Sequence, residues 1–144
     1  MSTGPSIGYV PGVYDLFHVG HLNVLRQARE QCDVLVAGVV SDEMCHQAKG
    51  TVPFVPLEER LAIVDAIGIV DATYAETTPD KRDAWAQVGF HRVFKGDDWR
   101  GTERGDALER LLAPLGVEVV YFPYTVHTSS TQLRAVIAAS RPAS

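Results

Sequence analysis

Cysteine is scarce in these 144 residues: Cys32 and Cys45 are the whole supply, and no C-x-x-C pair exists. Nothing suggests a disulfide framework, so both thiols are expected to be reduced. No apolar run approaches the length needed to cross a membrane. The opening Met-Ser-Thr-Gly-Pro-Ser has no basic segment leading into an apolar one, so no signal peptide is expected and the default location is the cytoplasm. Basic charge is outweighed: 13 Lys and Arg stand against 18 Asp and Glu, a formal net charge of −5. That balance argues against partners such as nucleic acid or an anionic membrane, although one cleft can still be cationic. The dinucleotide fingerprint G-x-G-x-x-G is missing, and so is any internal repeat.

What is present is the composition of one globular domain, with 46% hydrophobic residues in a chain long enough for a single core. Short apolar runs alternate with helical patterns throughout. Ile7–Val10, 33–40, Ile69–Tyr74, 92–95 and 117–122 read as strands. The intervening segments read as helices, with Ser41 capping one, Pro56 preceding another and Asp80 starting a third. Residues 49–56 read as a loop, because Gly50, Pro53 and Pro56 punctuate them. A last helix begins at Ser129 or Ser130, with Leu133, Val136 and Ile137 turned inward. The order predicts an α/β fold: a single Rossmann-like domain with a five-stranded parallel sheet and helices on both faces. The domain is expected to span 1–139, with 140–144 a frayed tail or the start of a linker to a further domain.

The most informative stretch is 9–25, YVPGVYDLFHVGHLNVL. A buried strand ends at Pro11 and Gly12, and a helical pattern is established from Leu22. Between them stand Asp15, His18, Gly20 and His21. A helix start offers free N–H groups and the positive end of the helix dipole, which together suit an anion. Neutral imidazoles three residues apart can add hydrogen bonds to phosphate oxygens. A zinc site is a poorer reading, since H-x-x-H supplies two ligands and no Cys pair or His cluster completes the set. In an open α/β sheet the ligand lies beyond the carboxyl ends of the strands, and the other polar motifs, 95–99 and 128–131, also follow strands.

G-V-Y-D-L-F-H-V-G-H resembles the G-x-F-D-x-x-H-x-G-H signature of the small cytidylyltransferases of the nucleotidyltransferase superfamily. The resemblance continues through Lys49, Arg60, Lys95-Gly96-Asp97-Asp98-Trp99 and Thr128-Ser129-Ser130-Thr131, and it spans nearly the whole chain. It implies transfer of CMP from CTP to a small phosphorylated or phosphonylated alcohol, with release of pyrophosphate. Acceptors resembling glycerol 3-phosphate, phosphoethanolamine, phosphocholine or a hydroxyalkyl phosphonate stay open. CTP enters as substrate with Mg2+ on its triphosphate, no dedicated protein ligands for the metal are identified, and a homodimer is implied.

Carried onto this sequence, the resemblance makes His18, His21 and Lys49 the catalytic set, with Lys49 swinging onto the phosphates from its loop. Gly12, Val13, Tyr14, Asp15, Gly20, Lys95, Gly96, Asp97, Trp99, Thr128, Ser129, Ser130 and Thr131 are the expected nucleotide-binding residues. Asp97 is expected to accept from the exocyclic amine of cytosine. Asp15 is expected to organise the histidine turn by accepting backbone N–H groups. Arg60, Tyr124 and His127 are candidate phosphate or acceptor contacts, with Arg60 pairing with Glu58 or Asp65 as its other reading. One departure stands out: Tyr124 and Val126 occupy the places of the family's arginine and glutamate, and His127, Lys49 or Arg134 is left to replace the arginine. Two other functions remain open at this point, an adenylyltransferase using ATP on a sugar phosphate and a nucleotide-binding module without turnover.

Overall fold

The computed structural model describes residues 4–123 and 130–140. The strands are β1 (Ile7–Gly12), β2 (Val34–Val40), β3 (Ala72–Glu76), β4 (Arg92–Gly96) and β5 (Glu118–Phe122). The helices are α1 (Val19–Arg29), α2 (Asp42–Lys49), α3 (Leu57–Asp65), α4 (Lys81–Val88), α5 (Glu103–Leu112) and α6 (Ser130–Ser140). All strand pairs are parallel, in the order β3-β2-β1-β4-β5. The α/β expectation therefore holds, and the strand order reverses between β1 and β4.

Alternation along each strand sorts side chains to two faces. Val10, Leu35, Ala37, Val39, Phe94 and Phe122 pack with Leu25 and Ala28 of α1 and Val64 of α3. Tyr9, Val36 and Val93 pack with Ala84 of α4 and Leu108 and Leu112 of α5. Because both faces are covered, β1 and β2 are apolar without interruption, as parallel strands tend to be. Expected helix starts hold at Ser41, whose hydroxyl accepts from the Met44 N–H, and at Asp80, which accepts from the Arg82 N–H.

Three details correct the sequence reading. The third strand runs over 72–76, not 69–74. Ile69 and Val70 finish the turn after α3, with the Val70 N–H bonded to Ile67, and their apolar side chains serve the core without joining the ladder. The first helix starts at Val19, so His21 already lies inside it and His18 is its N-cap. In α6, Val136 is exposed, and no described residue of that helix is buried.

One close approach positions a buried polar group. The Tyr9 hydroxyl crosses β2 to donate to the Glu76 carboxylate on β3, which also accepts from the Lys81 ammonium at 2.6 Å. A Cβ on Gly38 would lie 1.9 Å from the Tyr9 oxygen, so β2 must be bare there. Gly38→Ala is expected to lower stability by about 1–3 kcal/mol through overpacking. Unfolding in urea checks this, and an unchanged midpoint would show that Tyr9 can step aside freely.

The ladder between β1 and β2 covers all six residues of β1, whereas that between β1 and β4 covers only Gly8 and Tyr9. The paired register of β1 and β4 thus stops short of their carboxyl ends, where the strand order reverses and a ligand site is expected.

Candidate active site

The turn after β1 is held in an unusual backbone. Tyr14 and Leu16 adopt φ of 57° and 53°, a left-handed conformation costly to side-chain-bearing residues. Between them the Asp15 carboxylate is buried. It accepts from the Phe54 and Val55 N–H groups at 2.9 and 3.0 Å and pairs with Arg134 at 2.5 Å. Asp15 therefore fastens the 50–56 segment and α6 to this turn, which corrects the expectation that its acceptors would serve the histidine turn itself.

The histidine turn is organised by the histidines. His18 Nδ1 accepts from the Gly20 N–H at 3.0 Å, and His21 Nδ1 accepts from the His18 N–H at 3.2 Å. This is a reciprocal capping box built from two imidazoles. A ring nitrogen that accepts carries no proton, so the proton of each neutral ring sits on Nε2. Burial lowers the pKa of His18. Burial, and then the neighbouring His18, bring His21 down to about 4, against the opposing pull of Asp15. Near neutral pH both rings are thus uncharged and present an N–H on the edge facing away from the backbone. The rings lie tilted by 39° with centroids 4.1 Å apart. The Ser130 hydroxyl donates to the Asp15 carbonyl at 2.7 Å and lies 3.4 Å from His18 Nε2, ready to accept from it.

A cleft of about 280 Å³ opens here, lined by Gly12, Val13, Tyr14, Asp15, His21, Lys49, Ser130 and Thr131 among the expected site residues. His18 and Gly20 do not line it; His18 reaches it only through Ser130, 3.4 Å from its Nε2. Cys45, Thr51 and Arg134 line it as well. The sequence reading missed Cys45 and Thr51 and named Arg134 only as a replacement for the family's arginine. Ser130 and Arg134 are four apart on α6, a helical spacing that puts both on one side, and that signal was available.

Two expectations change. Lys49 is the last residue of α2 and not part of a loop. The helix ends on Gly50, whose φ of 75° provides the left-handed cap. Arg60 is no phosphate contact and pairs with neither Glu58 nor Asp65, because its side chain is completely buried. Its guanidinium donates to the carbonyls of Val55, Val13 and Val40, each at 2.7 Å, and to Asp42 at 2.5 Å.

Lys95, Gly96, Asp97 and Trp99 stand at the end of β4 and in the 3-10 turn that follows it, and they do not line that cleft. Asp97 is exposed. Trp99 is partly buried and packs under Lys95 and Arg104, 3.8 and 4.4 Å from its ring. Tyr124, His127, Thr128 and Ser129 lie outside the described residues. Among the described residues no group of three metal-ligating side chains comes together, and no helix is long and apolar enough to cross a membrane.

A family model described as cytidylyltransferase-like matches residues 9–136. The chain belongs to the cytidylyltransferase-like family. Its histidine turn, Lys49, the 95–99 run and Ser130 to Arg134 all fall inside the matched span. An ethanolamine-phosphate cytidylyltransferase from Arabidopsis thaliana is 41% identical over 95 residues, 62% of this chain and 22% of that protein. The bifunctional protein HldE of Hyphomonas neptunium is 31% identical over 137 residues, 93% of this chain and 27% of that protein. The chain thus spans about a quarter of the curated relatives it matches. A lipopolysaccharide core biosynthesis protein from Thermoplasma volcanium superposes with a TM-score of 0.72 at 23% identity, covering 87% of this chain and all of the other. At that identity the likeness speaks for the shared Rossmann-like fold.

Proposed function

We propose that this chain transfers CMP from CTP to a small phosphorylated or phosphonylated alcohol and releases pyrophosphate. One observation carries the reading: two adjacent, neutral imidazoles at a helix start, with His21 lining a cleft that holds Lys49 and Arg134 and His18 Nε2 3.4 Å from Ser130 of the same cleft. An acceptor oxygen attacks the α-phosphorus, the bond to the bridging oxygen breaks, and pyrophosphate leaves with the electron pair. Negative charge grows on the α-phosphate and bridging oxygens during that step. Fixed N–H donors stabilise such charge without forming a covalent intermediate.

His21 and His18 would hold the α-phosphate. Ser130 and Thr131, at the start of α6, would receive the outer phosphates together with Lys49. Arg134 would replace the family's arginine, because it lines the cleft from the helix that carries Ser130 and Thr131. CTP enters as its Mg2+ complex. The buried carboxylate of the cleft, Asp15, is already engaged by two N–H groups and Arg134, so the metal belongs to the substrate.

The test is pyrophosphate release with CTP and with ATP against a panel of phospho- and phosphono-alcohols. Turnover with CTP and one class of acceptor is expected. Preference for ATP would replace the proposal with adenylyl transfer. Binding of either nucleotide without any turnover would leave only a binding module.

Asp97 is the proposed reader of the base, standing where β4 ends and the 3-10 turn begins. Asp97→Asn is expected to weaken CTP binding roughly tenfold to a hundredfold, the loss of one charge-assisted hydrogen bond. It should also narrow the preference over UTP, because an amide can turn to donate. Calorimetric titration with both nucleotides measures this, and an unchanged ratio and affinity would leave Asp97 as a turn residue.

A further inference from the structure

The chain has only three lysines, and all three stand at the carboxyl rim of the sheet. Lys49 lines the cleft, Lys81 opens α4 beside Glu76, and Lys95 is the penultimate residue of β4. Lys95 shares a face with Val93 and Trp99, the α4/α5 side of the sheet, whereas Tyr14 and α1 pack on the other. Its ammonium sits 3.8 Å over the Trp99 ring, and among the described residues no oxygen accepts a hydrogen bond from it. The buried carboxylate nearby, Glu76, already accepts from Tyr9 on one oxygen and from Lys81 on the other. Burial, and then Lys81, bring the pKa of Lys95 down to about 8, against the carboxylates of Glu76 and Asp98. A poorly solvated cation without an acceptor is unfavourable until an anion reaches it.

Resting on the proposed nucleotidyl transfer, we propose that Lys95, with Lys81 beside it, holds the anionic phosphate or phosphonate group of the acceptor. The direction of attack supports this placement. An in-line displacement needs the attacking and leaving oxygens on opposite sides of the α-phosphorus. The groups assigned to the leaving pyrophosphate, Ser130, Thr131 and Arg134, lie on α6 with the histidine turn. The nucleophile therefore arrives from the other side, where the β1–β4 ladder has ended and Lys95 stands. An ammonium-bearing acceptor must keep its cation away from this rim, so polyhydroxy or acidic phosphates fit it better than choline or ethanolamine phosphates.

Two measurements test this. Lys95→Met keeps the stem over Trp99 and removes the charge. It is expected to raise the KM for the acceptor about tenfold or more while leaving the KM for CTP unchanged, as loss of one charge-assisted hydrogen bond would, and Lys95→Arg should recover most of the loss. A raised KM for CTP with an unchanged acceptor KM would overturn the proposal and make Lys95 a nucleotide contact. The second measurement needs no turnover and no variant. Acetic anhydride labels the three lysines of the intact chain, read separately by peptide mass, with and without inorganic phosphate. Phosphate is expected to protect Lys95, and unchanged labelling of Lys95 would overturn the proposal. If neither CTP nor ATP supports turnover with any acceptor, the functional reading fails while the labelling still decides whether Lys95 binds the anion.

Discussion

His18→Ala and His21→Ala are each expected to lower kcat by about a hundredfold to a thousandfold, the range found on removing one fixed donor from developing charge. The expectation rests on tautomer and place. Each Nδ1 is committed to a backbone N–H, so each Nε2 carries the proton, and the rings stay neutral at working pH. KM for CTP should change far less than kcat, because the donors meet charge that grows only in the transition state. The same rings cap α1, and losing a cap costs about 0.5–2 kcal/mol of stability, so alanine mixes two effects. His18→Asn and His21→Gln separate them. Asparagine accepts at an N-cap, and glutamine at N3 closes a capping box, yet neither places an N–H where Nε2 was. These variants should melt near the wild-type temperature and still lose turnover. If they keep near-wild-type kcat, the imidazoles are structural caps and nothing more.

The depressed pKa of His21 adds a pH dependence with a definite sign. In the unfolded chain it titrates near 6.5, and in the fold near 4. Between those values the unfolded state binds more protons, so stability falls as pH drops through this window and is level above it. Protonation also puts a hydrogen on Nδ1, which then cannot accept from the His18 N–H. Turnover of the folded protein should therefore hold through pH 6.5 and decline only as pH approaches about 4, without the fall near pH 6.5 that an unperturbed imidazole would give. Thermal unfolding and kcat measured across pH 4 to 8 check both.

Much of the fold could be read from period and punctuation. Uninterrupted apolar runs such as 34–40 imply a strand covered on both faces, and the alternation with helices leaves few arrangements besides a parallel sheet. The strand order could not be read, and neither could the early stop in the β1–β4 ladder, because pairing between distant segments leaves no local mark. The histidine turn was legible as a motif. Its hydrogen bonding was not: sequence placed Asp15 as the organiser, whereas the two rings cap each other and Asp15 reaches Phe54, Val55 and Arg134, between 39 and 119 residues away. Lys49 was misplaced by the glycine beside it. Gly50 does break the chain, but as the left-handed cap of a helix that includes Lys49. Arg60 was misread for a related reason. A basic residue in the first turn of a helix looks like a phosphate ligand until the four acceptors that close around it are known.

Arg60→Met is expected to destabilise the fold by about 3–5 kcal/mol, the usual cost of removing one partner from a buried charged network. The guanidinium joins four separate parts of the chain. Val13 follows β1, Val40 ends β2, Asp42 starts α2 and Val55 belongs to the segment before α3. Methionine fills a similar volume but leaves three partly buried carbonyls and the Asp42 carboxylate without their donor. Arg60→Lys should fall between wild type and methionine, because one ammonium cannot reproduce the planar fork. Loss of the network also frees Val13, which lines the cleft, so CTP binding should weaken only together with the melting temperature. Circular dichroism melting with and without CTP distinguishes this from a role in substrate binding. An Arg60→Met protein that melts like the wild type yet no longer gains stability from CTP would restore Arg60 as a ligand-binding residue and remove it from the scaffold.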